Sequence, residues 1–249
     1  MRGWTFAATA FATITLCLFA NPIAAAETPR ADISTPCLEK AWFNKHNYLV
    51  SLVSEAQRKP PLDIYFLGDS ITEFWPALGT DVWKAEFGKM QVLNCGVAGD
   101  TTQNILYRIT HGEFEHLTPK VIVVLAGINN LGLYPQLTAE GLAHGLQRIT
   151  ETLHARSPAS RILLLSIFPS GDAHGPVRQR IIDTNRLLAL LNGHNQVTYL
   201  DIYQKFLDAD GNFPDAITPD GTHLNAKGYQ IWADAMRPTL QKLLPPPQP

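Results

Sequence analysis

Short apolar runs at residues 64–67, 92–94, 121–126, 162–167 and 197–201 punctuate the chain, separated by longer stretches with a helical rhythm. The runs are mostly continuous apolar stretches, rich in Val, Ile and Leu, rather than alternating ones, which marks strands covered on both faces. Between them the 3.6-residue period predicts helices over 101–109, 138–156 and 177–191, with a last one over 226–244. An earlier amphipathic helix is predicted over 37–59, carrying Leu38, Trp42, Leu49, Leu52 and Val53 and stopped by Pro60 and Pro61. Strands alternating with helices imply a parallel sheet with right-handed crossovers. The expectation is an α/β protein: one doubly wound, three-layer α/β/α domain of about five parallel strands over residues 61–244. A polar tether and helix over 27–60 precede it, and a frayed tail, 245–249, follows.

The first 26 residues change the picture. Arg2, an apolar stretch from Trp4 to Ala20, the helix-breaking pair Asn21 and Pro22, and small residues before Glu27 form a secretory signal peptide pattern with cleavage after Ala26. The run is short for a membrane span and Pro22 interrupts it, and bulky Leu16 argues against a lipid-modified Cys17. The expected product has 249 − 26 = 223 residues, is secreted or periplasmic, and has no stable membrane insertion. Its formal charge, after loss of Arg2 alone, is 19 − 22 = −3. No basic block suggests a nucleic-acid partner. Cys37 and Cys95 remain in a compartment that permits disulfides, and a bridge between them is left open.

In a doubly wound sheet, ligands collect at the carboxyl ends of the strands. Four loops there carry unusual chemistry. GDSIT, from Gly68, offers Ser70 as a nucleophile at a helix start, but Ser70 and Glu73 also stand at capping-box spacing. Asp69 is expected to brace this loop, and the GxSxG elbow is excluded by Thr72. NCGVAGDTT, from Asn94, lacks the spacing and lysine of a phosphate loop. It offers either a turn capped by Asp100 or a backbone N–H at Gly99 for a developing oxyanion. GINN, from Gly127, is a turn or the source of a side-chain donor, Asn129. DGTH, from Asp220, is a loop before a helix capped near Asn225, or a base, His223, whose tautomer Asp220 fixes. Taken together, the order Ser…Asp…His at one rim supplies a nucleophile, an orienter and a base.

These four blocks resemble the SGNH hydrolase superfamily, the GDSL esterases and lipases, over residues 62–244. The run GDTTQNILYRITHGEFEHLTPK with VIVVLAGINN is similar to the catalytic subunits of intracellular platelet-activating factor acetylhydrolases. The resemblance implies the SGNH-type fold, Ser70, Asp220 and His223 as triad, and Ser70, Gly99 and Asn129 as oxyanion donors. Many members carry Asp where this chain has Asn130, and the export signal departs from the intracellular branch. The expected activity is a serine esterase acting without cofactor on short-chain, O-acetyl esters of carbohydrates. A lysophospholipase or thioesterase is the rival, and a non-catalytic glycan-binding module the reading from another class. Small-molecule or glycan esters are the expected partners; relatives pair, so a dimer is conceivable, but no stretch identifies an interface. His111, Glu113, Glu115 and His116 lack HExxH spacing and read as solvated helix surface, and DADGN, from Asp208, lacks the closing Glu of a calcium loop. No metal is expected.

Overall fold

The computed structural model describes residues 30–245. Residues 1–29 and 246–249, with the signal-peptide expectation and most of the tail expectation, lie outside them.

Helix α1 (Lys40–Ala56) precedes β1 (Ile64–Gly68), which is followed by three short helices, α2 (Ser70–Glu73), α3 (Trp75–Leu78) and α4 (Thr80–Phe87). Then come β2 (Val92–Gly96), α5 (Thr102–Thr110), β3 (Val121–Leu125), α6 (Ile128–Leu133), α7 (Ala139–Arg156) and β4 (Arg161–Leu165). The chain closes with α8 (Pro176–Leu188), β5 (Val197–Leu200) and α9 (Ala226–Leu243). All strand pairs are parallel and the order is β2-β1-β3-β4-β5. The chain winds outward from β1 in both directions, so right-handed crossovers place α2–α4 and α9 on one face and α5, α7 and α8 on the other.

β1 shows why its apolar run is unbroken. Phe66 packs against Trp75, Trp83 and Phe87, while Tyr65, pointing the opposite way, packs against Phe114. Every residue of the strand is buried. Trp75 and Trp232, ring centroids 4.3 Å apart, join the α2–α4 segment to α9. Tyr229 of α9 donates its hydroxyl to the Ile71 carbonyl at 2.8 Å, tying the last helix to the turn after β1.

Several boundaries and one role differ from the sequence reading. The strands predicted to 126 and 167 stop at Leu125 and Leu165, because the chain leaves the ladder where the site loops begin. Residues 30–36, read as part of a tether, are bound to the domain: Ala31 is buried, its carbonyl accepts from Thr102 Oγ1 at 2.7 Å, and Thr35 N–H donates to the Gln103 carbonyl. Cys37 and Cys95 are both free thiols; Cys95 is buried at the end of β2, and burial pushes its thiol up to about 12.

Candidate active site

β1 ends on Gly68, where a side chain would collide with Thr72 Oγ1 and the Leu125 carbonyl. That close approach lets the chain turn directly into α2. The capping box that the Ser70–Glu73 spacing allows is not formed. Asp69 is the cap, its Oδ1 accepting from the Ile71 N–H at 3.0 Å, and Ser70 is the first helical residue. Glu73 reaches across to the next loop instead, accepting from the Ala98 N–H at 2.6 Å and pairing with Lys45 at 2.7 Å. A cap one residue earlier than predicted leaves the Ser70 hydroxyl unused by its own helix.

Ser70 Oγ stands 2.8 Å from His223 Nε2, and His223 Nδ1 stands 2.6 Å from Asp220 Oδ2. Asp220 Oδ1 accepts from the backbone N–H groups of Thr222 and His223 at 3.0 and 2.7 Å. Partial burial works to raise the Asp220 carboxyl, but the hydrogen bonds from the His223 ring and these two N–H groups outweigh it and hold the group below its ordinary range. An ionised carboxylate only accepts, so His223 carries its hydrogen on Nδ1 and accepts the Ser70 O–H at Nε2. Thr222 is anchored to Ser170 after β4, hydroxyl to hydroxyl at 2.9 Å. Phe74 lies beside the imidazole, ring centroids 5.5 Å apart. Asn225 caps α9 through the Lys227 and Gly228 N–H groups, which fixes where the loop ends.

The other two loops converge from β2 and β3. Gly99 has φ +81°, with open space where a side chain would stand. Asn129, at the start of α6, donates one Nδ2 hydrogen to the Asp100 carbonyl at 2.9 Å, and among the described residues the second has no acceptor. Among the described residues, the backbone N–H groups of Ser70 and Gly99 have no acceptor. The structure therefore brings Ser70, His223 and Asp220 into one hydrogen-bonded chain and ties the Asn129 amide to the Gly99–Asp100 loop.

Asp100 does not cap α5. Thr101 does, in a reciprocal box with Asn104. Asp100 is buried instead, accepting from the Trp42 indole and from Arg108 Nε, both at 2.6 Å. Glu113, read as solvated surface with its neighbours, is also fully buried; it binds Arg108 Nη1 and His46 Nδ1 and lies outside any exposed helix face. α5 ends at Thr110, and the chain folds Glu113 back onto Arg108, whose carbonyl accepts from the Glu113 N–H. Arg108, Gln103 and Asn130 are polar residues near the site that periodicity cannot single out. An arginine on the apolar stripe of α5, beside Ile105 and Ile109, was the available signal.

A cavity of about 630 Å³ adjoins the site through Gly99 and Glu73. Ser70 and His223 are not on its wall. Glu39, Gln103, Asn104 and the Lys45–Glu73 pair supply its polar lining, and Tyr134 and Leu133 part of the apolar one.

The GDSL-like lipase/acylhydrolase family model matches residues 66–231. The alpha1 subunit of platelet-activating factor acetylhydrolase IB from Bos taurus is 32% identical over 225 residues, which are 90% of this chain and 91% of that one. The alpha2 subunit from Rattus norvegicus is 33% identical over 204 residues, 82% of this chain and 85% of its own. Among solved structures, an acylhydrolase from Bacteroides fragilis superposes with a TM-score of 0.67 at 22% identity, covering 83% of this chain and 100% of that one. An acetylxylan esterase from Geobacillus stearothermophilus superposes at 0.60 and 17% identity, covering 75% and 97%.

Proposed function

Since the chain belongs to the GDSL-like lipase/acylhydrolase family and is a serine ester hydrolase of that type, we propose that Ser70, His223 and Asp220 are its triad and that it removes short acyl groups, acetyl foremost, from carbohydrate esters outside the cytoplasm. The observation that carries this reading is the unbroken chain of hydrogen bonds from Ser70 Oγ through His223 to Asp220.

His223 Nε2 takes the Ser70 proton as Oγ attacks the ester carbonyl carbon. Negative charge collects on the carbonyl oxygen, where the N–H groups of Ser70 and Gly99 and the second N–H of Asn129 receive it. The imidazolium then gives its proton to the departing alcohol oxygen, leaving an acyl-serine. Water attacks that ester with His223 again as base, and the proton returns to Ser70 Oγ as the acid leaves.

The cavity beside Gly99 supports an oxygen-rich alcohol. Glu39 and Asn104 lie on its wall together with the Lys45–Glu73 pair. Desolvating the Lys45–Glu73 pair against an alkyl chain would be costly, whereas hydroxyl groups compensate such polar surface. Export is supported by the sequence from Arg2 to Ala26, and no helix of the described residues is long and apolar enough to cross a membrane. One observation favours the lipid-directed alternative: Leu133, on the cavity wall, is 62% exposed.

Acetate release from a panel of acetylated carbohydrates and acetylated lipids, run beside Ser70→Ala, tests the proposal. Release from carbohydrates that disappears in Ser70→Ala is the expected result. Faster turnover of octanoyl than acetyl esters would move the assignment to lipids, and full activity of Ser70→Ala would end it.

A further inference from the structure

One buried side chain touches two of the three loops assigned above to oxyanion binding and reaches the third through Asp100. Arg108 sits on α5, fully buried, and uses its guanidinium in four directions. Nη2 donates to the Gly68 carbonyl at 3.3 Å, at the end of β1 and two residues before Ser70. Nη1 donates to the Cys95 carbonyl at 3.1 Å, near the end of β2 and four residues before Gly99, and also binds Glu113. Nε donates to Asp100 Oδ2 at 2.6 Å, and the backbone carbonyl of that same Asp100 accepts from Asn129 Nδ2.

The three proposed oxyanion donors come from three different strands. Parallel ladders fix the strands only as far as Gly68, Gly96 and Leu125, and each donor lies beyond that point. A planar fork with fixed donor directions can hold several carbonyl and carboxylate oxygens at set angles, which a flexible ammonium cannot. The fork is held from behind: the Trp42 indole occupies the other Asp100 oxygen, and His46 the other Glu113 oxygen, so each carboxylate is bound on both oxygens.

We propose that Arg108 is the positioning residue of the oxyanion hole, setting the Ser70, Gly99 and Asn129 donors in one geometry through Gly68, Cys95 and Asp100. It touches neither substrate nor reacting atoms. The inference rests on the donor assignment above.

A double-mutant cycle between Arg108→Lys and Asn129→Ala on the full chain tests it, with p-nitrophenyl acetate as substrate and folded sites counted by titration with a serine-directed phosphonate. Arg108→Lys is expected to lower kcat per titrated site by roughly thirtyfold while KM moves less than about threefold, as for a loss felt only in the transition state. Asn129→Ala should cost about a hundredfold in the wild type but less than about tenfold in the Arg108→Lys background, because a misplaced donor has little left to lose. Multiplicative losses, or a fall in melting temperature with kcat per titrated site intact, overturn the proposal. Should Arg108→Lys not fold, the isosteric Asp100→Asn enters the same cycle with the same two outcomes. A wild type without Ser70-dependent turnover would instead refute the functional assignment itself.

Discussion

Ser70 is the clearest case of a residue with two structural vocations. Its position at a helix start suits a cap, and the spacing to Glu73 suits a capping box, yet Asp69 takes the cap and the Ser70 hydroxyl goes to His223. The sequence alone leaves this undecided, since Asp and Ser are about equally good caps and stand next to each other. The site was legible as a set of residue types at strand ends; which neighbour caps and which reacts depends on a one-residue shift in helix entry. In the proposed mechanism the Asn129 amide is used twice, once to hold Asp100 and once toward the oxyanion. Asn129→Asp keeps the size but replaces donors with acceptors, so kcat should fall more than the roughly hundredfold expected for Asn129→Ala, with steady-state kinetics as the readout. Activity should also fall toward acid pH, because His223 must be neutral at Nε2 to accept the serine proton. A kcat/KM profile from pH 5 to 9 that stayed flat on its acid side would contradict a histidine base.

At the level of elements, the turn from β1 into α2 concentrates the local constraints. Asp69 is buried with only Oδ1 engaged; burial pushes its carboxyl up to about 7, and the Ile71 N–H pulls the other way without prevailing. The sign follows from linkage. A folded-state value raised above the ordinary ~3.9 means the folded protein holds this proton more tightly than the unfolded chain. The associated stability is complete below about pH 4 and is lost as pH rises through about 7. Asp69→Asn keeps an acceptor for Ile71 and removes the titration. Its unfolding free energy should gain on the wild type by on the order of a few kcal/mol between pH 5 and pH 8. Urea melts at the two pH values decide the matter, and parallel curves would mean that Asp69 does not titrate there. At the far end of the site, Asn225 satisfies two N–H groups of α9 two residues after His223. Asn225→Ala should cost about 1 kcal/mol of stability, measured by the same melts. This cap was readable in advance because no competing cap residue stands beside it. Of the small helices only the start of α2 at Ser70 was readable; α3 and α4 were not, since four to eight residues are too few for a periodic signal.

Across the whole molecule, the centre of the sheet was legible because strands covered on both faces, β1, β3 and β4, must be apolar almost throughout, and the half-buried edge strands β2 and β5 follow from the same alternation with helices. What the pattern could not show is the polar core beneath the site, where Arg108, Asp100 and Glu113 are all fully buried and His46 and Trp42 of α1 complete their hydrogen bonds. Periodicity reads charge as surface, so a buried ionic cluster defeats it. The cluster explains why α1 belongs to the body of the protein: the partners that desolvated carboxylates need come from its Trp42 and His46. It also sets a stability test distinct from the catalytic one. Arg108→Met preserves much of the stem but leaves two buried carboxylates without their cation, a change expected to cost about 3–5 kcal/mol. The loss should be pH-dependent in a defined sense. Arg108 pulls the Asp100 carboxyl down against its burial, so without it Asp100 folds most readily when protonated, and the destabilisation relative to wild type should be smaller at pH 5 and grow toward pH 8. Adding Asp100→Asn to Arg108→Met removes one of the stranded charges and should recover part of the loss at pH 8 while changing little at pH 5. A deficit independent of pH, or no recovery in the double variant, would show that Arg108 stabilises the fold by packing rather than by charge.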